Sequence, residues 1–297
     1  MEVLAEMWAR GGATPEVPRP FLRTSLCRLL TIALVDRSSA NGQVKLNIRT
    51  LPAATSGDQP GDEASILSQF LRGVGQYQPQ LVGFNSFNSD LLIIRQRAIA
   101  LGVAAPAFCR RPEKPWEGPD YFRRDNDCNI DLMELLTGGA WDRGTRTSLS
   151  DMARISGIPG KMGTDGDDVA ELWLQDRIGD ILNYNVFDAL TTYLLWLQVA
   201  HFGGHFTTDE WHEEHERLEA LITSEIESGA RPWLQLYLDE WRRLRSFRTQ
   251  FAAGMAETQA GTAEGDASAA VGGVETTAAV PGKAPGKKRP TSPAKGP

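Results

Sequence analysis

The sequence predicts an α/β fold: a mixed sheet flanked by helices, followed by a helical C-terminal extension. Three observations carry this prediction. The short apolar runs Arg28–Val35 and Leu81–Phe84 have strand length. Between and after them, apolar residues recur at helical spacing, as in Ile66, Leu67, Phe70, Leu71 and Val74. Late in the chain, Leu190, Tyr193, Leu194 and Leu197 share one face of a long helical stretch, Tyr184–Ala200. Strands alternating with amphipathic helices are the pattern of an α/β layer structure.

Residues 1–21 hold Pro15, Pro18 and Pro20 and no clear period, so an irregular segment is expected there. The domain proper is expected over 22–200. Arg28–Val35 reads as a buried strand, and after a turn at Gly42-Gln43 the alternating Val44–Ile48 reads as its half-buried partner. Residues 52–62 read as a loop, and the helix that follows ends at Pro79. Leu81–Phe84 is the next strand, and Asp90–Ala100 the next helix. Residues 105–128, with four prolines, form a long loop, and Ile130–Met133 enters another short element. Ser148 is placed to cap a helix running to Ile155. Two further helices are expected, Thr208–Ser228 and Pro232–Met255, within a helical extension over 201–255. Residues 256–297 are nearly free of large apolar side chains and are expected to be disordered, because they cannot offset the entropy of ordering. That tail carries Lys283, Lys287, Lys288, Arg289 and Lys295, read either as a solvated linker or as a basic arm for phosphates.

Composition narrows the function classes. The chain has 297 residues, 41% of them hydrophobic, enough for a sizeable core. No run of eighteen apolar residues occurs, so no membrane span is expected. Cys27, Cys109 and Cys128 are odd in number and widely spaced, and the first residues lack the pattern of a secretion signal. Both point to a cytoplasmic protein. The formal charge of −7 argues against nucleic-acid binding by bulk electrostatics, but not against a nuclease whose carboxylates hold cations.

Two carboxylates stand out. Asp90 follows an apolar strand and a polar loop containing Asn85. Asp188 follows Tyr184 by one helical turn, so the two share a helix face. Phosphodiester hydrolysis needs an activated water and a stabilised leaving oxygen, and two divalent ions about 4 Å apart supply both. Mg²⁺ and Mn²⁺ take oxygen ligands, so Asp90 and Asp188 are candidate ligands and Tyr184 a candidate for aiming the water. The plain alternative is that Asp90 is a helix N-cap and Asp188 a surface residue.

Residues 26–200 resemble the predicted 3′–5′ exonucleases similar to the proofreading domain of family-B DNA polymerases. The blocks that carry the resemblance stand in order: Leu26–Val35, Leu81–Asp90, Asn129–Met133, the Pro159-Gly160-Lys161 signature within Gly157–Gly163, and Tyr184–Asp188. The resemblance implies the DEDD superfamily, a ribonuclease-H-like sheet, a Mg²⁺ or Mn²⁺ cofactor and single-stranded DNA 3′ ends as substrate. It also implies Asp90, Asp188 and Tyr184 as catalytic residues, with Asn85 and Lys161 at the substrate. The sequence departs from the family pattern at Ser86, Ser89 and Leu92, and at Cys27 and Asn129, where histidine is usual. The Asp-x-Glu strand that opens the family fold has no counterpart; Glu2 and Glu6 are spaced wrongly, and Asp36 lies at the far end of the second strand. The resemblance therefore implies a fold with its first strand missing, and either a start upstream of Met1 or a lost motif. The corresponding alternative is a catalytically dead nucleic-acid-binding or protein-interaction module on the same fold.

Other patterns carry less. His201, His205, His212 and His215 have helical spacing that can bind zinc, or simply form a charged helix face. The glycine-rich Gly157–Gly166 lacks the Gly-Lys-Ser/Thr of a P-loop. Trp141, Trp173 and Trp196 read as core or cover.

Overall fold

A computed structural model describes residues 2–18, 20, 23–53, 62–124, 126–138, 146–163 and 166–247. The expectations for Trp141 and for the tail from 256 onward lie outside these residues. The first element corrects the reading of an irregular N-terminus: Glu2–Arg10 is a helix, α1. Its sequence, rich in Ala, Glu, Leu and Met, has good intrinsic helix propensity. The prolines that suggested irregularity all lie beyond its end.

The strand expected at Arg28–Val35 starts later and runs further, as β1 (Ile32–Ala40). It pairs antiparallel with β2 (Gln43–Leu51), from Ile32 opposite Leu51 to Ala40 opposite Gln43. Asn41 and Gly42 join them with φ of 52° and 74°. Two consecutive positive φ values define the tight turn whose twist matches a hairpin, and Asn-Gly is the pair that adopts it most easily. The upper half of β1 is half-buried rather than buried.

Helix α2 (Glu63–Tyr77) begins at Asp62, whose carboxylate accepts from the Ser65 N–H. Ile66, Leu67, Leu71 and Val74 are buried, as their spacing predicts. Glu63 is buried as well. Its carboxylate takes two 2.7 Å hydrogen bonds from Arg97 and one of 2.9 Å from the Leu29 N–H. This ties the start of α2 to α3 (Asp90–Ala100) and to the segment leading into β1.

Strand β3 (Leu81–Gly83) pairs in parallel with β4 (Asn129–Asp131), and the chain passes directly into α4 (Leu132–Thr137). One mixed sheet was expected; the described strands form two separate two-stranded sheets, β1–β2 and β3–β4. Strand runs can be read from a sequence, but which edges meet depends on long-range packing.

The rest is helical: α5 (Leu149–Ser156), α6 (Val169–Leu174), α7 (Ile178–Phe202), α8 (Thr208–Glu227) and α9 (234–247). Ser148 caps α5 as expected, accepting from the Asp151 N–H at 3.0 Å. Helix α7 starts six residues earlier than expected and is the spine of the molecule. Val186, Leu190, Leu194 and Leu197 on α7 share one core with Leu218 and Ile222 of α8 and with Leu234, Tyr237 and Trp241 at α9. Ala33, Val35 and Val82 from the two sheets, and Phe84 just beyond β3, pack on the same core. The helices beyond residue 200 are thus built into the core that supports the strands. No described helix is long and apolar enough to cross a membrane.

Candidate active site

The loop that carries Asp90 is fixed by one buried acid. Asp131 ends β4, and its carboxylate accepts the N–H groups of Asn85 (2.8 Å) and Phe87 (3.0 Å) on one side. On the other it accepts those of Met133 (3.1 Å) and Glu134 (3.4 Å), capping α4. A single carboxylate therefore joins the β3 loop to the start of α4. The sequence block around Asp131 was visible, but two of its four donors are loop amides more than forty residues away in sequence, which no local pattern reveals.

The same loop makes a tight bend. Asn85 has φ of 60°, and its side-chain oxygen accepts from Asn88 Nδ2 at 3.2 Å. A Cβ on Gly83 would lie 2.6 Å from the Cβ of Ser86. Gly83→Ala is accordingly expected to cost about 1–3 kcal/mol, the range for overpacking a tight site. Chemical denaturation measures it, and unchanged stability would mean that the bend relaxes freely. Ser86 and Asn129, both departures from the family pattern, meet here: Asn129 Nδ2 donates to Ser86 Oγ at 3.0 Å, buried beneath the loop. Phe87 is buried under the Arg124 guanidinium, 5.0 Å from its ring centre.

Asp90 opens α3 at the end of this bend. Its side chain is exposed, yet its pKa is raised to about 6. Loss of solvation is the first cause, and the charges of Asp131 and Asp188 add to it against the pull of its own helix-start N–H. Of the sequence-predicted acids, Asp188 is thus one of two carboxylates whose charge bears on Asp90, the other being Asp131.

Asp188 and Tyr184 are half-buried on one face of α7, one turn apart. They line a cavity of ≈ 100 Å³ together with Thr191, with Gly160 and Lys161, and with Ser148–Ser150 at the start of α5. The loop bearing Lys161 is held there by Thr191, whose hydroxyl donates to the Pro159 carbonyl at 2.9 Å. With its only proton so used, Thr191 accepts from the Tyr237 hydroxyl at 3.1 Å. Gly157, with φ of 68°, ends α5 and turns the chain into this loop. Segment 166–168 passes the phenol: a Cβ on Gly166 would lie 3.8 Å from the Tyr184 oxygen. At its N-terminal end α7 is tied to the strand layer by Asn185, which donates to Thr31 Oγ1 at 2.9 Å.

The donor chemistry suits a hard divalent cation in one respect. Asp90 and Asp188 are oxygen donors whose mutual repulsion a cation would relieve. It does not extend to a cage for two ions. Asp131 spends its oxygens on four N–H groups, Asp36 is paired with Arg49 at 2.8 Å, and the described residues contain no cluster of three or more metal-binding side chains. Asn85 contributes its backbone to the Asp131 clamp. The histidines gather elsewhere: His201, His212 and His215 pack their rings on Trp211, and His215 Nδ1 sits 2.7 Å from the Trp211 carbonyl oxygen. Of the tryptophans read as core or cover, Trp196 packs on the main core and Trp173 on a small cluster with Ile178 and Ile181.

A family model described as a predicted 3′–5′ exonuclease related to the exonuclease domain of PolB matches residues 19–241. The match extends beyond residue 200 through α8 and most of α9, in keeping with the shared core. No curated protein matches the chain.

Proposed function

The chain belongs to the family of predicted 3′–5′ exonucleases related to the exonuclease domain of PolB, and from that premise we propose that it binds single-stranded DNA 3′ ends at the cavity lined by Tyr184, Asp188 and Lys161 and shortens them slowly. The observation that carries this reading is the cavity in which Tyr184 and Asp188 of one sequence block meet Lys161 of another, with the charge of Asp188 also bearing on Asp90. In this reading Asp90 and Asp188 hold one divalent ion, Mg²⁺ or Mn²⁺. Such an ion supplies Lewis acidity toward a phosphoryl oxygen when bound. Tyr184 holds the attacking water by its hydroxyl. Lys161, in the cavity with Asp188, faces the phosphate, and the Asn85 loop borders the terminal nucleotide. Hydrolysis is slow because the carboxylates coupled here suit one ion, whereas the efficient scheme uses two.

Purified protein incubated with 5′-labelled single-stranded DNA and Mn²⁺ should give slow shortening from the 3′ end. Asp188→Asn should reduce it to the metal-free level while leaving stability intact. Fast digestion that survives Asp188→Asn would sink the assignment. Binding without turnover in both proteins would instead favour a nucleic-acid-binding module on the same cleft.

A further inference from the structure

The cavity at Asp188 borders a larger one. Gly160 and Lys161 line both, and the second, of ≈ 460 Å³, runs between the end of α5 and the outer face of α9. Its volume falls within the roughly 300–1,000 Å³ of small-ligand clefts. Its floor is apolar, formed by Ile158, Met162, Leu236 and Leu244, and Leu236 is 57% exposed. Its rim carries Arg154, Lys161 and Arg243 against one lining acid, Glu240. Arg243 holds Glu240 in a two-pronged pair at 2.6 and 2.7 Å. Asp151, beside the rim, feels the positive charge of Arg154 and Lys161 and is hydrogen-bonded to Ser148. On a chain of formal charge −7, this groove reverses the local sign.

We propose that this groove is a second nucleic-acid subsite, which holds the part of a single strand adjoining the nucleotide in the Asp188 cavity. The proposal rests on the function proposed above and adds to it a strand-length requirement and residues outside the cleft. Phosphates meet Arg154 and Arg243, and base faces lie on the exposed Leu236 and on Met162. An apolar floor beneath a cationic rim suits a polymer that alternates flat apolar faces with anions. A duplex is excluded, because its bases are already stacked away from such a floor.

The test uses the full chain with Ca²⁺ as the only divalent ion, with 5′-fluorescent oligothymidylates of increasing length and fluorescence anisotropy at several salt concentrations. Affinity should rise from a trinucleotide to longer strands. The double variant Arg154→Ala/Arg243→Ala should lose most of that gain and bind the trinucleotide as the wild type does. For the longer strands, its salt-dependence slope should fall by about 1.4, at about 0.7 for each single-strand phosphate that is no longer neutralised. Arg72→Ala, an exposed cation on α2, should change neither quantity. An unchanged length gain in the double variant overturns the subsite, and so does an equal effect of Arg72→Ala, which would reflect net charge alone. Tighter binding of an oligoglutamate than of thymidylate overturns the choice of nucleic acid. Trinucleotide binding that depends on Asp188 but never improves with length overturns the groove and spares the cleft. Failure of every oligonucleotide to bind the wild type overturns both readings.

Discussion

Replacing Asp131 with alanine is expected to lower the unfolding free energy by about 3 kcal/mol, the largest single-residue loss in the strand–loop layer. The side chain is buried and its two oxygens serve four backbone N–H groups. Alanine strands those donors, and an unsatisfied buried donor costs about 1–3 kcal/mol. Partial access to water at Asn85 and Glu134 keeps the total well below four such penalties. Asp131→Asn should cost less, because one oxygen remains for the Asn85, Met133 and Glu134 amides. Its new NH₂ group then faces the Phe87 N–H, donor against donor. Chemical denaturation of both variants gives the ordering directly. An alanine variant within the error of wild type would show that the clamp contributes nothing. The same change should disorder the bend ahead of Asp90, so loss of DNA binding should accompany loss of stability.

The second large effect is expected at Glu214, where α8 meets the hairpin. Glu214 is 1% exposed and accepts from Arg37 Nε and NH2 at 3.1 and 2.8 Å, from the Tyr193 hydroxyl at 2.8 Å and from Arg217 at 3.1 Å. Burial alone would push its carboxyl up; the hydrogen bonds from Arg37 and Tyr193 and the two guanidinium charges outweigh burial and hold it below its ordinary value. Glu214→Ala leaves a largely buried guanidinium and a buried phenol without their partner. The expected loss is about 3 kcal/mol, at the lower end for breaking a buried ion pair because Arg37 keeps some access to water. A carboxyl with a depressed folded pKa stabilises the fold fully above the unfolded value, about 4.3 for Glu. That stabilisation fades as pH falls through the lower folded value. The melting-temperature gap between wild type and Glu214→Ala should therefore be widest near neutral pH and narrow in acid. A gap that widens in acid would contradict the assignment. Glu63, likewise held down by Arg97 and the Leu29 amide against its burial, adds to acid sensitivity in the same direction.

Much of the site was legible in the sequence because its parts are local. An apolar run, a polar bend and an acid at a helix start are read from neighbouring residues, and Asp90 stands where that order predicts. Tyr184 and Asp188 share a face because the helical repeat requires it. The Ser148 cap and the buried stripe of α7 follow from the same short-range rules. Even the Lys161 loop, singled out only by its Pro-Gly-Lys block, lies in the cavity with Asp188.

What the sequence by itself determined was the α/β class, most helix positions and the shared helix face of Tyr184 and Asp188. Tertiary structure alone decided the rest. It divided the strands into two small sheets, because edge pairing is chosen by packing across the whole chain. It placed α8 and α9 in the core that supports the strands, where a boundary at residue 200 had been expected, because their apolar faces and that of α7 are buried against one another. It made Asp131 the anchor of the Asp90 bend, through hydrogen bonds that close only when β3 lies beside β4. Propensity and period act over a few residues; the partners of a buried carboxylate are set by which distant backbone amides the fold brings to it.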